Sequence, residues 1–252
     1  MLVNHAHMKL GKHAPVHNHH LPMLSSYTKG LPIAPDSVDY SHIPNLGMMM
    51  NDKIGDCTCA AVGHIIQQWG TYTHKPLVPT DQQVLSLYEA VSGYNPKDPS
   101  TDNGAVETDV LNYWVKNKAF GISLDAYAPL ELGNHNEVKD AVYWFGNAYI
   151  GLNLPISAQT QDVWSVPAGG THGNGAPGSW GGHAVPVVAY NARTLTVITW
   201  GALKQMTWAF WAAYAEEAYA LLSTDWISSG KSPKGISWTT LQADFKEVVA
   251  IK

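Results

Sequence analysis

Only two cysteines occur in the 252 residues, Cys57 and Cys59, and they stand two positions apart. Neighbours that close at the start of a helix are badly placed to bridge each other, so a disulfide framework is excluded and nothing points to an oxidising compartment. Charge is scarce as well: charged residues make up 14% of the chain, and 15 basic against 20 acidic residues leave a net charge of -5. No basic run is available to neutralise phosphates, so nucleic acid is excluded as an expected partner. No window reaches the uninterrupted apolar length of a membrane span, and the first thirty residues, with six histidines and no apolar core, are unlike a secretory signal. The expectation is a cytoplasmic protein without a membrane partner, or one released by lysis, as a phage-associated protein would be.

What the chain does have is apolar residues, at 45%, enough for a large core or for two halves packed about a cleft. Residues 1–30 are rich in His, Pro, Ser and Asn and read as an extended arm, and residues 31–227 read as the globular part. Residues 228–252 read as a Ser/Gly/Pro/Lys linker with a short helix over Thr239 to Val249. In the arm His5, His7, His13, His17, His19 and His20 invite a metal reading, but no Cys or carboxylate cluster accompanies them. The expectation is a solvated arm with no metal and no cofactor, and a candidate docking element for a protein partner.

Spacing and cap residues predict helices over 57–70, from Asp81 to Gly93, over Val106 to Lys116 and over Asn136 to Phe145. A strand follows over Ala148 to Pro155. The aromatic run from Met206 reads as a strand or short helix leading to a final strand near Tyr219 to Trp226.

Two stretches carry chemistry. In Asn51-Asp52-Lys53-Ile54-Gly55-Asp56-Cys57, a turn on Gly55 and Asp56 delivers Cys57 to the first turn of an apolar-periodic helix, with Asp56 expected as its N-cap. Unpaired amides and the positive helix end there favour thiolate over thiol. Cys59 points to another face of the helix and reads as a small buried hydrophobe, with the role of nucleophile as its alternative. His64, two turns on from Cys57, reads as a core or cleft histidine. In the second stretch, Gly182-His183-Ala184-Val185-Pro186-Val187-Val188-Ala189-Tyr190, His183 heads a strand at the mouth of a glycine-rich loop. Pro186 restricts that strand to a position where its missing N–H is not needed.

These stretches resemble the papain-like cysteine peptidases. Cys57 takes the nucleophile's place, and Asn51 stands where that family keeps the glutamine whose amide completes the oxyanion hole. Thr58 replaces the tryptophan that follows the family's cysteine. His183 matches the general base of the "G/D/N-H-A-V-x-x-x-G-Y" strand, and Pro35, Asp39 and Tyr40 match the start of the mature domain. The run Thr194 to Gly201 is similar to the family's "I-K-N-S-W-G" strand, but Ile198 falls at the asparagine's place. Thr199 is then the nearest side-chain oxygen able to orient His183; a backbone carbonyl or the more distant Asn191 are the alternatives. By the same resemblance Trp200 shields the histidine, Asn103 and Gly104 form a wall of the substrate cleft, and Gly182 lies beside it.

The resemblance implies an α+β, two-lobed fold: a helical lobe over about 45–120 with a central Cys-bearing helix, an antiparallel β-barrel-like lobe over about 121–227, and the active site between them. It implies a bacterial or phage-type divergent member acting on a peptide or protein substrate, hydrolysing peptide or other amide bonds through a Cys–His pair and a thioester. Two other classes stay open: a catalytically weak or inactive binding module of a phage or secretion assembly, and an acyl transferase. No activation segment of ordinary length is present, although residues 1–30 can cover the cleft.

Overall fold

The first long helix, α1 (Cys57–Tyr72), is buried on every side as far as Gly70. The one-sided apolar stripe expected of it is therefore replaced by all-round burial, the pattern of a helix at the centre of a core. Three of its polar side chains reach backbone carbonyls: His64 Nε2 lies 2.9 Å from that of Gly47, Gln67 donates to Pro44 at 2.7 Å, and Gln68 donates to Gly146 at 2.6 Å. His64 is a core histidine. The computed structural model describes residues 4–16, 21, 23–26 and 31–227; the expected C-terminal linker and helix, and His17, His19 and His20, lie outside the described residues.

Around α1 stand α2 (Asp81–Ser92) and α3 (Glu107–Lys116). A reciprocal capping box between Thr80 and Gln83 starts α2, and Gly93, at φ 76°, ends it in the left-handed conformation. The chain then enters the sheet half through β2 (Ala126–Pro129) and α4 (His135–Phe145).

Among the described residues the sheet has eight strands. Besides β1 (Val38–Asp39) and β2 they are β3 (Ala148–Leu154), β4 (Val163–Trp164), β5 (Gly181–Tyr190), β6 (Thr194–Thr199), β7 (Ala202–Thr207) and β8 (Ala215–Leu222). Their order is β2-β8-β3-β5-β6-β7-β4, with β1 paired to β5. All pairings are antiparallel except β4 with β7. The chain thus has the expected α+β architecture of a helical lobe and a sheet lobe.

The sequence reading of the aromatic run is corrected. It divides into the end of β7, a short helix α5 (Trp208–Tyr214) and β8, which starts at Ala215 rather than near Tyr219. Aromatics facing both a helix and a sheet lose the alternation that would have marked the strand. Pro186 sits in an interior strand, between β3 and β6; no β6 residue pairs with it, since that ladder begins at Val187 with Val197 and is irregular before Ala189. Among the described residues no helix is long and apolar enough to cross a membrane.

Between β6 and β7 the hairpin turn is the two residues Trp200 and Gly201, both with positive φ, 47° and 69°. Such a turn suits the strand twist, but the left-handed region is costly for tryptophan, which is held there by packing. The turn fixes Thr199 and Trp200 next to the head of β5.

Candidate active site

Cys57 opens α1 from a loop held at a distance by one carboxylate. The Gly55 N–H donates to both oxygens of Asp102, at 3.0 and 3.1 Å. Asp102 also accepts from the Tyr88 hydroxyl at 2.7 Å, and the Tyr88 oxygen accepts from the Gly104 N–H at 2.8 Å. The turn before Cys57 is thereby tied to the Asn103–Gly104 loop. Neither Asp102 nor Tyr88 was singled out by the sequence; its only signal was that Asp102 shares the turn-forming run with Asn103 and Gly104.

The expected side-chain cap is not there. Asp56 occupies the N-cap position with φ −95° and ψ 17°, and its carboxylate makes no capping bond. It is fully buried, neither oxygen has a hydrogen-bond partner of ordinary geometry, and burial holds its pKa well above the usual range, against the nearby Asn51 amide. Asn51 itself is buried and donates to the Ile54 carbonyl at 3.4 Å. Cys59 is buried beside Thr58, and burial pushes its thiol far up. Thr58, at the family's tryptophan position, is buried and its carbonyl accepts from the Tyr149 hydroxyl at 3.0 Å.

His183 lies near the head of β5. Its Nε2 is 2.7 Å from Thr199 Oγ1, while Nδ1 is buried without a hydrogen-bond partner. Trp200 stacks on the imidazole with ring centres 4.6 Å apart. The next residue, Ala184, directs its N–H to the Cys57 sulfur, so head of strand and head of helix meet.

Burial decides the charge state of both groups. It pushes the Cys57 thiol up to about 12, with the Ala184 and Gly11 N–H groups acting the other way. A helix N-terminus contributes at most about 2 kcal/mol in favour of thiolate, too little to offset that desolvation. Burial, with a smaller contribution from His5, lowers His183 to about 3. Both are neutral as they stand.

The arm lies against both. The Lys9 N–H donates to the Asn51 carbonyl at 3.3 Å, the Ala105 N–H to the Gly11 carbonyl at 2.8 Å, the Lys12 N–H to the Gly182 carbonyl at 3.1 Å and the His13 N–H to the Ala105 carbonyl at 3.0 Å. The Asn103 carbonyl is hydrogen-bonded by His13 Nε2, and His5 stacks on Trp200 at 5.0 Å. Residues 4–16, expected as a solvated tail, are therefore laid along the domain, with the backbone of Gly11 over Cys57. The wall residue that pairs with the arm is Ala105, next to the anticipated Asn103 and Gly104. Gly104 is required at φ 81°, and a Cβ there would also stand 1.9 Å from the Gly11 oxygen. Among the described residues no group of three or more His, Cys, Asp or Glu is placed to hold a metal ion.

The fold and this convergence of a helix-opening cysteine with a strand-heading histidine define a papain-like fold. The chain is similar to xylellain, a cysteine protease from Xylella fastidiosa, with a TM-score of 0.66 at 13% identity, covering 88% of this chain and 99% of that one. It is also similar to proCathepsin B S9 from Trypanosoma congolense, with a TM-score of 0.55 at 12% identity over 86% and 87% of the two chains. Digestive procathepsin L 3 of the Tenebrio molitor larval midgut gives 0.54 at 12% identity, over 84% and 76%. No family model matches the sequence, and no curated protein does.

Proposed function

We propose that the chain is a thiol-dependent hydrolase of peptide or other amide bonds, with Cys57 as nucleophile and His183 as general acid and base. The observation that carries this reading is the pair of contacts at the head of β5: Nε2 of His183 is engaged by Thr199 at 2.7 Å, Nδ1 is left free, and the adjoining Ala184 N–H reaches the Cys57 sulfur. Thr199 is a positioning residue, in the part an asparagine plays in the family it resembles.

In the cycle, Cys57 Sγ attacks the acyl carbon while its proton resides on His183. The tetrahedral oxyanion is held by the Cys57 N–H and by Asn51, whose amide must turn from Ile54 to do so. The C–N bond breaks as His183 gives its proton to the leaving amine. Water then attacks the thioester, losing a proton to His183, and the C–S bond breaks to release the acid.

With the arm seated this cannot run. The Gly11 N–H faces the sulfur, so the arm occupies the space a substrate would take. The arm's candidate role as a docking element for a separate partner is, over residues 4–16, turned toward the domain itself. A second reading, a binding module without turnover, draws on Thr199 in place of asparagine and on the neutral, covered cysteine.

The two are separated by casein hydrolysis with the Gly11→Ala chain, in which a Cβ would stand 1.8 Å from the Gly55 carbonyl oxygen and unseat the arm. Hydrolysis is expected, and a further Cys57→Ala or His183→Ala change should reduce it by about a thousandfold or more. Hydrolysis unaffected by either would overturn the assignment.

A further inference from the structure

Beside the cleft, Lys12 of the arm inserts its side chain, wholly buried, into a recess walled by three carboxylates. Its ammonium is 2.7 Å from Glu216 Oε2 and 2.9 Å from Glu217 Oε1, and it donates to the His13 carbonyl at 2.9 Å. Hydrogen bonds to Glu216 and His13 and the ion pair with Glu217 thus hold the ammonium.

Two backbone features build the recess. In the β3–β8 ladder Gly151 faces Glu217 and Leu152 faces Ala215, so Glu216 is the extra residue of a β-bulge. Successive residues of a regular strand point to opposite faces; the bulge lets both Glu216 and Glu217 reach one ammonium. The floor is Gly151, where a Cβ would stand 2.0 Å from Lys12 Cε, 2.8 Å from Glu107 Oε1 and 2.8 Å from Glu217 Cγ. Any side chain at Gly151 would fill the space the lysine occupies.

The third carboxylate is more than the lysine needs. Glu107, in the first turn of α3, is completely buried, and neither of its oxygens has a hydrogen-bond partner among the described residues. Burial, reinforced by Glu217, holds its pKa well above the usual carboxylate range, and Lys12 acts against this. An arginine, with five donors, has a use for such an acceptor. A buried acidic recess of this kind is costly to keep empty and has no role in the Cys–His chemistry.

We propose that the recess formed by Glu107, Glu216, Glu217 and Gly151 is a specificity subsite for a lysine or arginine side chain of the substrate, which Lys12 occupies in the arm-closed state. This rests on the hydrolase reading, since it names the substrates that reading would take: peptides with a basic residue adjoining the one over Cys57.

The test has one arm that needs no turnover. Calorimetry on the full-length Gly11→Ala chain would titrate a synthetic peptide spanning Met8 to Val16, and the same peptide with norleucine for Lys12. The expected result is a Kd at least about tenfold lower for the lysine peptide, with the difference lost in Glu217→Gln and reduced in Glu216→Gln. Both are near-isosteric changes, and Glu216 is partly exposed, so the second guards against misfolding of the first. Equal affinities for the two peptides overturn the subsite.

The other arm compares hydrolysis of fluorogenic peptides differing only in lysine, arginine or leucine at that residue. Basic peptides are expected to be preferred at least about tenfold in kcat/KM. Preference for leucine overturns the subsite but leaves the hydrolase reading intact. Lysine-selective binding without hydrolysis of any peptide overturns the hydrolase reading and leaves a basic-peptide binding site.

Discussion

Thr199 Oγ1 stands 2.7 Å from His183 Nε2, across the sheet from β6 to β5, one residue after Ile198, where the resemblance would place an asparagine. The hydroxyl fits because the Trp200–Gly201 turn brings the end of β6 close to the imidazole. In the Gly11→Ala chain, Thr199→Val should lower kcat about tenfold with little change in KM, by releasing the ring from one orientation. Thr199→Ser, which keeps the hydroxyl, should restore most of it. Equal loss in both variants would mean that packing, and not the hydrogen bond, matters at residue 199.

The arm is predicted to come off when Gly11 gains a methyl group, because the obstructing atom is the Gly55 backbone carbonyl, which cannot swing aside. Iodoacetamide should then label Cys57 more than about tenfold faster than in the unaltered chain at neutral pH, as solvent returns to a thiol now held near 12 by burial. Identical labelling rates would mean the arm does not govern access.

Asp102 accepts from two donors that brace the turn before Cys57, the Gly55 N–H and the Tyr88 hydroxyl. Asp102→Ala should cost about 1–3 kcal/mol in unfolding free energy, because it orphans the Gly55 N–H and the Tyr88 hydroxyl. Asp102→Asn, which retains an acceptor oxygen, should cost less. Chemical denaturation of the three chains checks this, and an unchanged midpoint in Asp102→Ala would contradict the bracing role.

Buried His64 supplies a pH prediction. Burial lowers it from 6.5 to about 4, against the raising effect of the Gly47 carbonyl. The unfolded chain therefore binds a proton at His64 as pH falls below about 6.5, while the folded chain does not until about 4; stability is lost over that window. Relative to His64→Gln, the unaltered chain should lose about 1.4 kcal/mol per pH unit across it. Parallel stability curves for the two chains would show that His64 titrates normally.

The α+β class, the helix boundaries near Asp81, Gly93 and Phe145, and the places of Cys57 at the head of α1 and His183 near the head of β5 were legible because caps, periodicity and a short motif are local signals. Asp56 takes the N-cap position as expected, but its side chain does not cap, since its carboxylate is sealed inside the loop, which depends on burial and not on its neighbours in sequence. Ala105 was passed over for Gly104 because pairing with the arm is made through backbone, which any residue supplies. The seating of the arm and the acidic recess were invisible for a common reason. Lys12, Glu107, Gly151 and Glu217 converge only through the bulge in β8 and the packing of α3 against the sheet, and separately each reads as an ordinary surface or strand residue.

The most direct test of the Cys57–His183 assignment is the pH dependence of iodoacetamide labelling at Cys57, read by mass spectrometry, in Gly11→Ala and in Gly11→Ala with His183→Ala. Fast labelling below neutral pH is expected in the first chain, from a thiolate paired with imidazolium once solvent enters, and a slow rise only near the ordinary thiol range of about 8.5 in the second. The same profile in both chains, rising only in that range, would contradict it.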